Sequence, residues 1–453
     1  MVRFRKRLAF LVIACLFLTA CGSADTPTGP SADAAVTPSE AAAPAEHVDY
    51  ADALKLDMTS STAKVEVTVK TFVDGDTVHF HVPTDVVADG VLKARFLAVN
   101  TPESTGKIEE YGKTASNYTK EVLSAATSIV LESESEKWEL DATGSRYLAW
   151  VWYKRAGDQE YRSLNIELLQ TGLARPNGAG TSRYGETALA AAMQAQNEKL
   201  NIYSGQPDPD FYYGDAIELT LKELRSDPES YAGMQVAFHG YVSVNSGSNG
   251  VYVEEYDAES DMYFGMYAYY GFSLSGGGLN VLNVGNEVRI VGTVQYYETG
   301  GTWQVAGLTY RDFKPDEPGN IQKLSSGHAA AYVPTDPATF VGDVTIATEE
   351  GEFTAPYAQM AQATSIGMDD LTVKSVYTTT DEESSSKGAM TLTCERDGIT
   401  VTVRTAVLRD EDGNVITADR YEGQTIDVKG IVETFDGTYQ IKVFTPKQIT
   451  VHP

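Results

Sequence analysis

The chain has 453 residues, 42% apolar and 22% charged, with a formal charge of −28 at pH 7. That length admits roughly two to four domains with sizeable cores, and the composition excludes wholesale disorder. So acidic a chain cannot hold nucleic acid through its overall field, so any polyanion site must be local or helped by a cation.

Arg3, Arg5, Lys6 and Arg7 precede an apolar run, Leu8 to Leu18. The run is too short for a typical membrane span and ends in small residues, as a secretory signal does. Leu18-Thr19-Ala20-Cys21 resembles a bacterial lipobox. That resemblance implies cleavage before Cys21, lipid on its sulfur, and anchorage on the extracytoplasmic face of a cell membrane. Residues 1–20 are thus read as a lipoprotein signal peptide and 21–63 as a lipid-anchored flexible linker. Gly22 to Glu46 supports the linker, being Ala, Pro, Ser, Thr and Asp with almost no large apolar side chains. Cys15 would leave with the signal and Cys21 would be acylated. Cys394 then stands alone, so the mature chain can form neither an intrachain disulfide nor a cysteine metal site.

Residues 64–206 read as a first domain. Val65, Val67, Val69 and Thr71 alternate as a strand. Asp74-Gly75-Asp76 turns the chain into Val78–Val82, and a strand from Leu92 to Val99 follows, carrying Arg95. A helix is predicted from about Ile108 to Ala125, with Tyr111, Ala115, Tyr118 and Val122 on one face. Ser128–Glu132 and Tyr147–Tyr153 read as strands. Leu164–Thr171 reads as a short helix with Ser163 as N-cap and Gly172 as end signal. The Ala-rich Glu186–Leu200 reads as a third helix, with Leu189, Met193 and Leu200 facing inward. About five strands with helices on them suggest a small α+β barrel.

Residues 215–313 open with a short helix, Leu219–Arg225, and continue in strand pattern; Gly276-Gly277-Gly278 and Gly300-Gly301 mark turns. Residues 314–365 are richer in Pro, Asp, Gly and Ala and read as a linker with some local order. Residues 366–453 are strand-rich again. The two strand-rich units share an internal repeat. Gly285–Gln304 reads GNEVRIVGTVQYYETGGTWQ and Gly423–Gln440 reads GQTIDVKGIVETFDGTYQ. Gly285 matches Gly423, Gly292 matches Gly430, and Gly301-Thr302-Trp303-Gln304 matches Gly437-Thr438-Tyr439-Gln440. Each copy is a strand, a tight turn and a second strand. The pattern resembles OB-fold barrels, a class that binds oligonucleotides or oligosaccharides but also serves as spacer or docking module.

Three corners of the first domain carry unusual polar residues. Asp76 and Asn100-Thr101 offer oxygen ligands from two turns, a set that suits a hard cation such as Ca²⁺. Glu103 could hold or deprotonate a water. Arg95 and Arg146 could supply planar charged forks that match phosphate oxygens and offset charge building up on phosphorus. Together they describe water attacking a phosphodiester, aided by a metal. Each piece has a bland reading beside it. Asp-Gly-Asp is a common turn, Thr-Pro-Glu a common corner, and an arginine in a strand usually pairs with a nearby acid.

The arrangement of blocks resembles the staphylococcal-nuclease-like (thermonuclease) family from about Val69 to Ser204. VDGDTV stands at Val73–Val78, ARFLAVNTPES at Ala94–Ser104 and EEYGKTASNYTKEVL at Glu109–Leu123. DATGSRYLAWV stands at Asp141–Val151, NIELLQTGLAR at Asn165–Arg175 and AQNEKLNIYS at Ala195–Ser204. The resemblance implies an OB-type five-stranded barrel with three helices that cleaves DNA and RNA with Ca²⁺. By motif position it makes Arg95 and Arg146 the phosphate arginines and Glu103 the catalytic carboxylate. Asp76, Asn100 and the carbonyl of Thr101 would be the metal ligands. The chain departs from the family pattern in three places. Asn100 stands where aspartate is usual, which removes one negative charge from the metal set. DATGSR holds one residue more than the usual DxxGR, and the role falls on Arg146 because Tyr147-Leu148-Ala149 then align. Ala142 and Thr143 replace the usual lysine and tyrosine, and Arg175-Pro176-Asn177-Gly178 replaces a tyrosine-bearing stretch.

The expected fold is mainly β: an α+β nuclease-like OB barrel followed by two further OB-like barrels. The expected protein is a monomeric, membrane-tethered, calcium-dependent nuclease with single- or double-stranded nucleic acid as substrate and barrel ligands left open. The alternative is a non-catalytic nucleic-acid-binding or adhesion lipoprotein that uses the OB-like modules.

Overall fold

The computed structural model describes residues 47–453 except 248, 299, 349, 350, 382, 383, 385 and 436. The expected signal segment and Cys21 lie outside the described residues. The first domain runs α1 (Tyr50–Ala53), β1 (Lys64–Asp74), β2 (Thr77–His81), β3 (Val91–Phe96), β4 (Val99–Asn100) and α2 (Gly112–Ser124). It continues through β5 (Ser128–Glu132), β6 (Tyr147–Lys154), β7 (Arg162–Ser163), α3 (Leu164–Gln170), β8 (Arg175–Pro176) and α4 (Gly185–Asn197).

Alternation makes the strands. In β3, Leu92, Ala94 and Phe96 are buried while Lys93 is exposed, the two-residue period of a strand with one wet face. β1 pairs antiparallel with β2 and β5, β2 with β3, and β5 with β6. β3 then lies parallel to β6, with Ala94 opposite Tyr147 and Phe96 opposite Ala149. The ring β1-β2-β3-β6-β5 closes into an OB-type barrel. Inside β6, Ala149 to Tyr153 are all buried: Val151 and Tyr153 bond to Asn165 and Glu167 of α3, and Trp150 and Trp152 pack edge-on against Tyr184.

Two features of this domain differ from the sequence reading in a way that shapes the site. The strand expected to reach Val99 stops at Phe96. Leu97-Ala98 turns instead, with Ala98 left-handed at φ 63°, and β4 resumes against β8. Long-range bonds impose that break. The Leu97 N–H donates to the Ala149 carbonyl at 2.9 Å, and the Leu97 carbonyl accepts from Asn165 Nδ2 at 2.8 Å. Helix α2 starts four residues later than expected, at Gly112. Tyr111 is left-handed at φ 64° and gives its N–H to Asp208 Oδ2, so the helix cannot extend back through it.

Two corrections concern packing. Helix α4 was expected to face inward with Leu189 and Met193, but both are exposed, and Ala188, Ala191, Ala192 and Ala195 are buried instead. Small side chains let α4 lie close on α3, and that contact outweighs the burial of two larger residues elsewhere. The expected linker through residue 63 also ends early. Val48 exchanges backbone bonds with the Gln194 side chain, Ala51 is fully buried, and Asp49 receives both Arg162 terminal nitrogens at 3.0 and 3.1 Å.

The second barrel comprises β9 (Ile217–Glu218), α5 (Leu221–Ser226), β10 (Gln235–Asn245), β11 (Gly250–Asp257), β12 (Met262–Tyr269), α6 (Gly277–Val281), β13 (Asn286–Tyr297), β14 (Thr302–Ala306) and β15 (Gln322–Ser326). Its ring is β10-β11-β12-β14-β13, with β12 and β14 parallel. The third follows β16 (Val333–Pro334), α7 (Pro337–Val341), the hairpin of β17 (Asp343–Thr348) and β18 (Gly351–Pro356), and α8 (Tyr357–Met360). Its strands are β19 (Ser365–Thr378), β20 (Met390–Arg396), β21 (Ile399–Thr405), β22 (Thr425–Phe435), β23 (Thr438–Val443) and β24 (Ile449–Val451). The ring is β19-β20-β21-β23-β22, with β21 and β23 parallel. All three barrels share one strand order. The stretch 314–365, read as a linker, carries β15 paired with β13 and β16 paired with β19, besides a hairpin and two short helices.

The repeat maps onto β13–β14 and β22–β23, the same hairpin of each barrel. Its shared glycines have one cause. A Cβ on Gly292 would stand 2.6 Å from the Ala306 carbonyl oxygen, and one on Gly430 would stand 2.5 Å from that of Lys442. No side chain fits at either crossing.

Asn165 is the polar pin of the first core. It is fully buried, donates to the Leu97 and Ala149 carbonyls and accepts the Val151 N–H at 2.8 Å. Asn165→Ala removes the side-chain partner of the Leu97 carbonyl and the Val151 N–H, while the Ala149 carbonyl keeps the Leu97 N–H, and it should lower unfolding free energy by roughly 3 kcal/mol in urea titration. A loss within experimental error of zero would show that water replaces the side chain.

Candidate active site

The site forms where β1 turns into β2 and where β3 ends. Asp74, Asp76 and Thr77 are all buried at the β1–β2 corner. Gly75 makes this possible, because a Cβ there would meet the Thr101 side chain at 2.9 Å. The Asn100-Thr101 corner can therefore lie directly over the Asp-Gly-Asp corner. Thr119 of α2 secures it from beneath by donating to the Gly75 carbonyl at 2.6 Å.

Arg95 answers the question its position raises. A cation in a barrel strand needs an anion, and Asp76 supplies it: Arg95 Nη1 lies 2.6 Å from Asp76 Oδ2. The same guanidinium donates to the Val99 carbonyl at 3.2 Å and to Asn100 Oδ1 at 2.7 Å. Asp76 Oδ2 also accepts the Thr101 N–H at 2.9 Å, and Oδ1 accepts the Thr77 hydroxyl at 3.0 Å. Asn100 Nδ2 faces the Thr101 carbonyl at 3.4 Å. Asp76, Arg95, Asn100 and Thr101 are thus one cluster. Their oxygens are of the kind a hard cation takes, one carboxylate with an amide and a carbonyl. Two of those oxygens are gripped here by Arg95, so the guanidinium and a cation would draw on the same acceptors. Thr101 Oγ1 is buried with no hydrogen-bond partner, a polar atom the surrounding protein leaves unused.

Glu103 is exposed, and no hydrogen bond or ion pair among the described residues engages its carboxylate. Its backbone is fixed instead. The Glu103 carbonyl accepts the Glu109 N–H at 2.9 Å, and its own N–H reaches Glu109 Oε2 at 3.2 Å. Asp74, which sequence reasoning treated only as part of a turn, holds the next residue. Its Oδ1 accepts the Ser104 hydroxyl at 2.6 Å, the Ser104 N–H at 3.2 Å and the Gly75 N–H at 2.8 Å. Burial pushes the Asp74 carboxyl up to about 7, and the charges of Glu103 and Asp76 add to the rise against those three donors. A second acid two residues before Asp76 was the available signal.

Arg146 immediately precedes β6, one residue before Tyr147, the partner of Ala94, so it enters the site beside β3. Its Nε and Nη2 both lie 2.7 Å from Asp141 Oδ2. The added residue in DATGSR is taken up in a turn, where Gly144 is left-handed and the Thr143 and Ser145 hydroxyls lie 2.6 Å apart. Burial raises the Asp141 carboxyl, but the Thr143 hydroxyl and Arg146 outweigh it and hold it at about 2. Arg146 is paired more simply than Arg95, to one acid and with a third of its side chain exposed.

Residues 93–205 match the family model of the staphylococcal nuclease homologues. That stretch is a nuclease-like domain of the chain. The β1–β2 corner with Asp74 and Asp76 precedes the matched stretch. No curated protein matches the chain.

Asp74 gives this site a pH signature. A carboxyl whose folded pKa is raised from 3.8 to about 7 keeps its proton more tightly when folded. Its contribution to stability is therefore fully present below about pH 4, lost progressively as pH rises to about 7, and level above that. Asp74→Asn keeps the acceptor and removes the ionisation. Its unfolding free energy relative to wild type should rise between about pH 4 and 7 and then plateau. A difference that does not vary with pH would reject the raised pKa.

Proposed function

From a nuclease-like domain at residues 93–205, we propose a calcium-dependent phosphodiester hydrolase that cleaves DNA or RNA. The observation that carries this reading is the convergence of Asp76, Arg95, Asn100 and Thr101 in one cluster beside the unengaged Glu103 carboxylate. In this reading Asp76, Asn100 and the Thr101 carbonyl would hold Ca²⁺. Bound there, Ca²⁺ would supply a fixed positive charge that polarises the phosphate. Glu103 takes a proton from water as the water oxygen bonds to phosphorus, and the phosphorus–oxygen bond to one sugar breaks with its electron pair on the sugar oxygen, which leaves as the alcohol after taking a proton from solvent. Arg95 moves from Asp76 and Asn100 onto a phosphate oxygen, and Arg146 reaches the phosphate from the neighbouring strand. Two guanidinium forks then offset the charge that builds up on the equatorial oxygens. They also supply the local positive field that so acidic a chain otherwise lacks.

The lipobox-like Leu18–Cys21 supports a second part of the reading: lipid on Cys21, with the nuclease held at the extracytoplasmic face of the membrane. Among the described residues, no helix is long and apolar enough to cross a membrane.

The mature chain is incubated with single-stranded DNA and Ca²⁺, with a chelator, and beside Glu103→Gln. Cleavage is expected with Ca²⁺ alone, and the variant should lose about 10²-fold or more in rate. Binding without cleavage by the wild type would favour the non-catalytic alternative, and metal-independent cleavage equal in both proteins would end the proposal. Asn100→Asp restores a charge to the metal set and should tighten Ca²⁺ binding about tenfold by calorimetry; an unchanged or weaker affinity contradicts the assignment of Asn100. Cys21→Ser should move the protein from the membrane fraction to the soluble fraction, and retention in the membrane would remove the lipid from the reading.

A further inference from the structure

The second barrel touches the nuclease domain at α2, where Lys113 lies against Gly233, and at the loop Ser104–Lys107, which directly follows Glu103. The loop contact is specific. Gly106 gives its N–H to Gln295 Oε1 at 3.2 Å and accepts Gln295 Nε2 on its carbonyl at 2.7 Å. One primary amide thus satisfies both backbone groups of one residue, as a neighbouring strand would. Gln295 lies on β13, half-buried between Val294 and Tyr296. Gly307 backs the same contact: a Cβ there would meet the Gly106 carbonyl oxygen at 2.9 Å and Lys107 Cα at 3.3 Å. Farther along α2, Lys120 pairs with Glu298 at 3.1 Å, both largely exposed.

The loop has few restraints of its own. Thr105 and Lys107 are exposed, and no ladder passes through it. Segments of that kind open at little cost in free energy. Glu103 is held before and after by anchors inside the nuclease domain, Thr101 on Asp76 and Ser104 on Asp74. Glu109 closes the loop onto both backbone groups of Glu103, and between Ser104 and Glu109 the anchor at Gly106 comes from another barrel.

We propose that the second barrel is part of the hydrolytic apparatus, with Gln295 as a positioning residue that fixes the Ser104–Lys107 loop and so the direction of Glu103. The proposal rests on the nuclease reading above. A carboxylate must stay within hydrogen-bond reach of the attacking water, so a looser loop lowers the fraction of productive geometries and leaves substrate affinity to the arginines. The signature is a loss in kcat at constant KM.

The test uses the full chain with single-stranded DNA and Ca²⁺. Gln295→Leu keeps the side-chain volume and removes both bonds. Gln295→Glu keeps the acceptor, removes the donor to the Gly106 carbonyl, and serves as the second variant if the first folds poorly. Either should lower kcat about tenfold, or ~1.4 kcal/mol, with KM within about twofold. Hydrogen exchange at Thr105–Lys107, read without substrate, should rise about tenfold in the same variants. Lys120→Ala, which removes the peripheral ion pair and leaves the clamp, should match wild type in both readouts. Wild-type kcat in both Gln295 variants, a change confined to KM, or an equal loss in Lys120→Ala would overturn the proposal. Exchange separates the two readings: a wild type that does not cleave sinks the nuclease assignment and its catalytic extension, whereas unchanged loop exchange in a cleaving protein sinks the clamp alone.

Discussion

The ion pair between Arg95 and Asp76 organises the end of the first barrel where the candidate site lies. A guanidinium set into a barrel strand is costly to bury without acceptors, and an anion held by an already fixed part of the chain answers that cost most fully. Asp76 meets the condition because it follows a glycine that no side chain could replace under Thr101. Its carboxylate draws in Arg95 from one strand and the Thr101 N–H from the next corner. Once these are set, Pro102 and Glu103 have little choice of path. The costly burial of charge and the placement of the exposed carboxylate are two sides of one arrangement.

The fold was largely legible in the sequence because barrels of this kind are built from local signals. Alternation places β3, and turn glycines bound the long strands of the later barrels. The repeat between residues 285–304 and 423–440 lands on one hairpin of each. What was not legible depends on partners far away in sequence. Nothing in Leu97-Ala98 announces a break, since the break follows from Asn165, 68 residues on. Apolar size alone points Leu189 and Met193 of α4 inward, whereas both are exposed. Close helix contact there rewards alanine over Leu189 and Met193. Residues 48–63 look like tether until Arg162 is seen to bind Asp49.

The site divides in the same way. Its members were visible as corner residues with unusual polarity, and the matched family domain covers all of them except those of the β1–β2 corner. Their mutual bonds were not. Arg95 reads in the sequence either as a fork for phosphate or as the partner of a nearby acid, and it is bound to the very oxygens that read as cation ligands. Asp74 was invisible as a distinct actor, because burial, which no short motif reports, separates its behaviour from that of Asp76. The later barrels meet each other through buried polar groups of the same long-range kind. Glu254 accepts from Ala331 and Ser365, and Arg225 donates to Gly265 and Gln362, with no ion pair to it among the described residues.

The glycines at 292 and 430 bear on how such a chain can change over generations. Each lies against a backbone oxygen too close to admit even a methyl group. If one barrel began as a copy of the other, the copies were free to drift on their surfaces and even through much of their cores. They were not free to drift at these two crossings, where every substitution breaks the barrel before it can offer anything new. The resemblance that survives between the two hairpins would then record where variation is forbidden, and the lineage could be read from its immovable points.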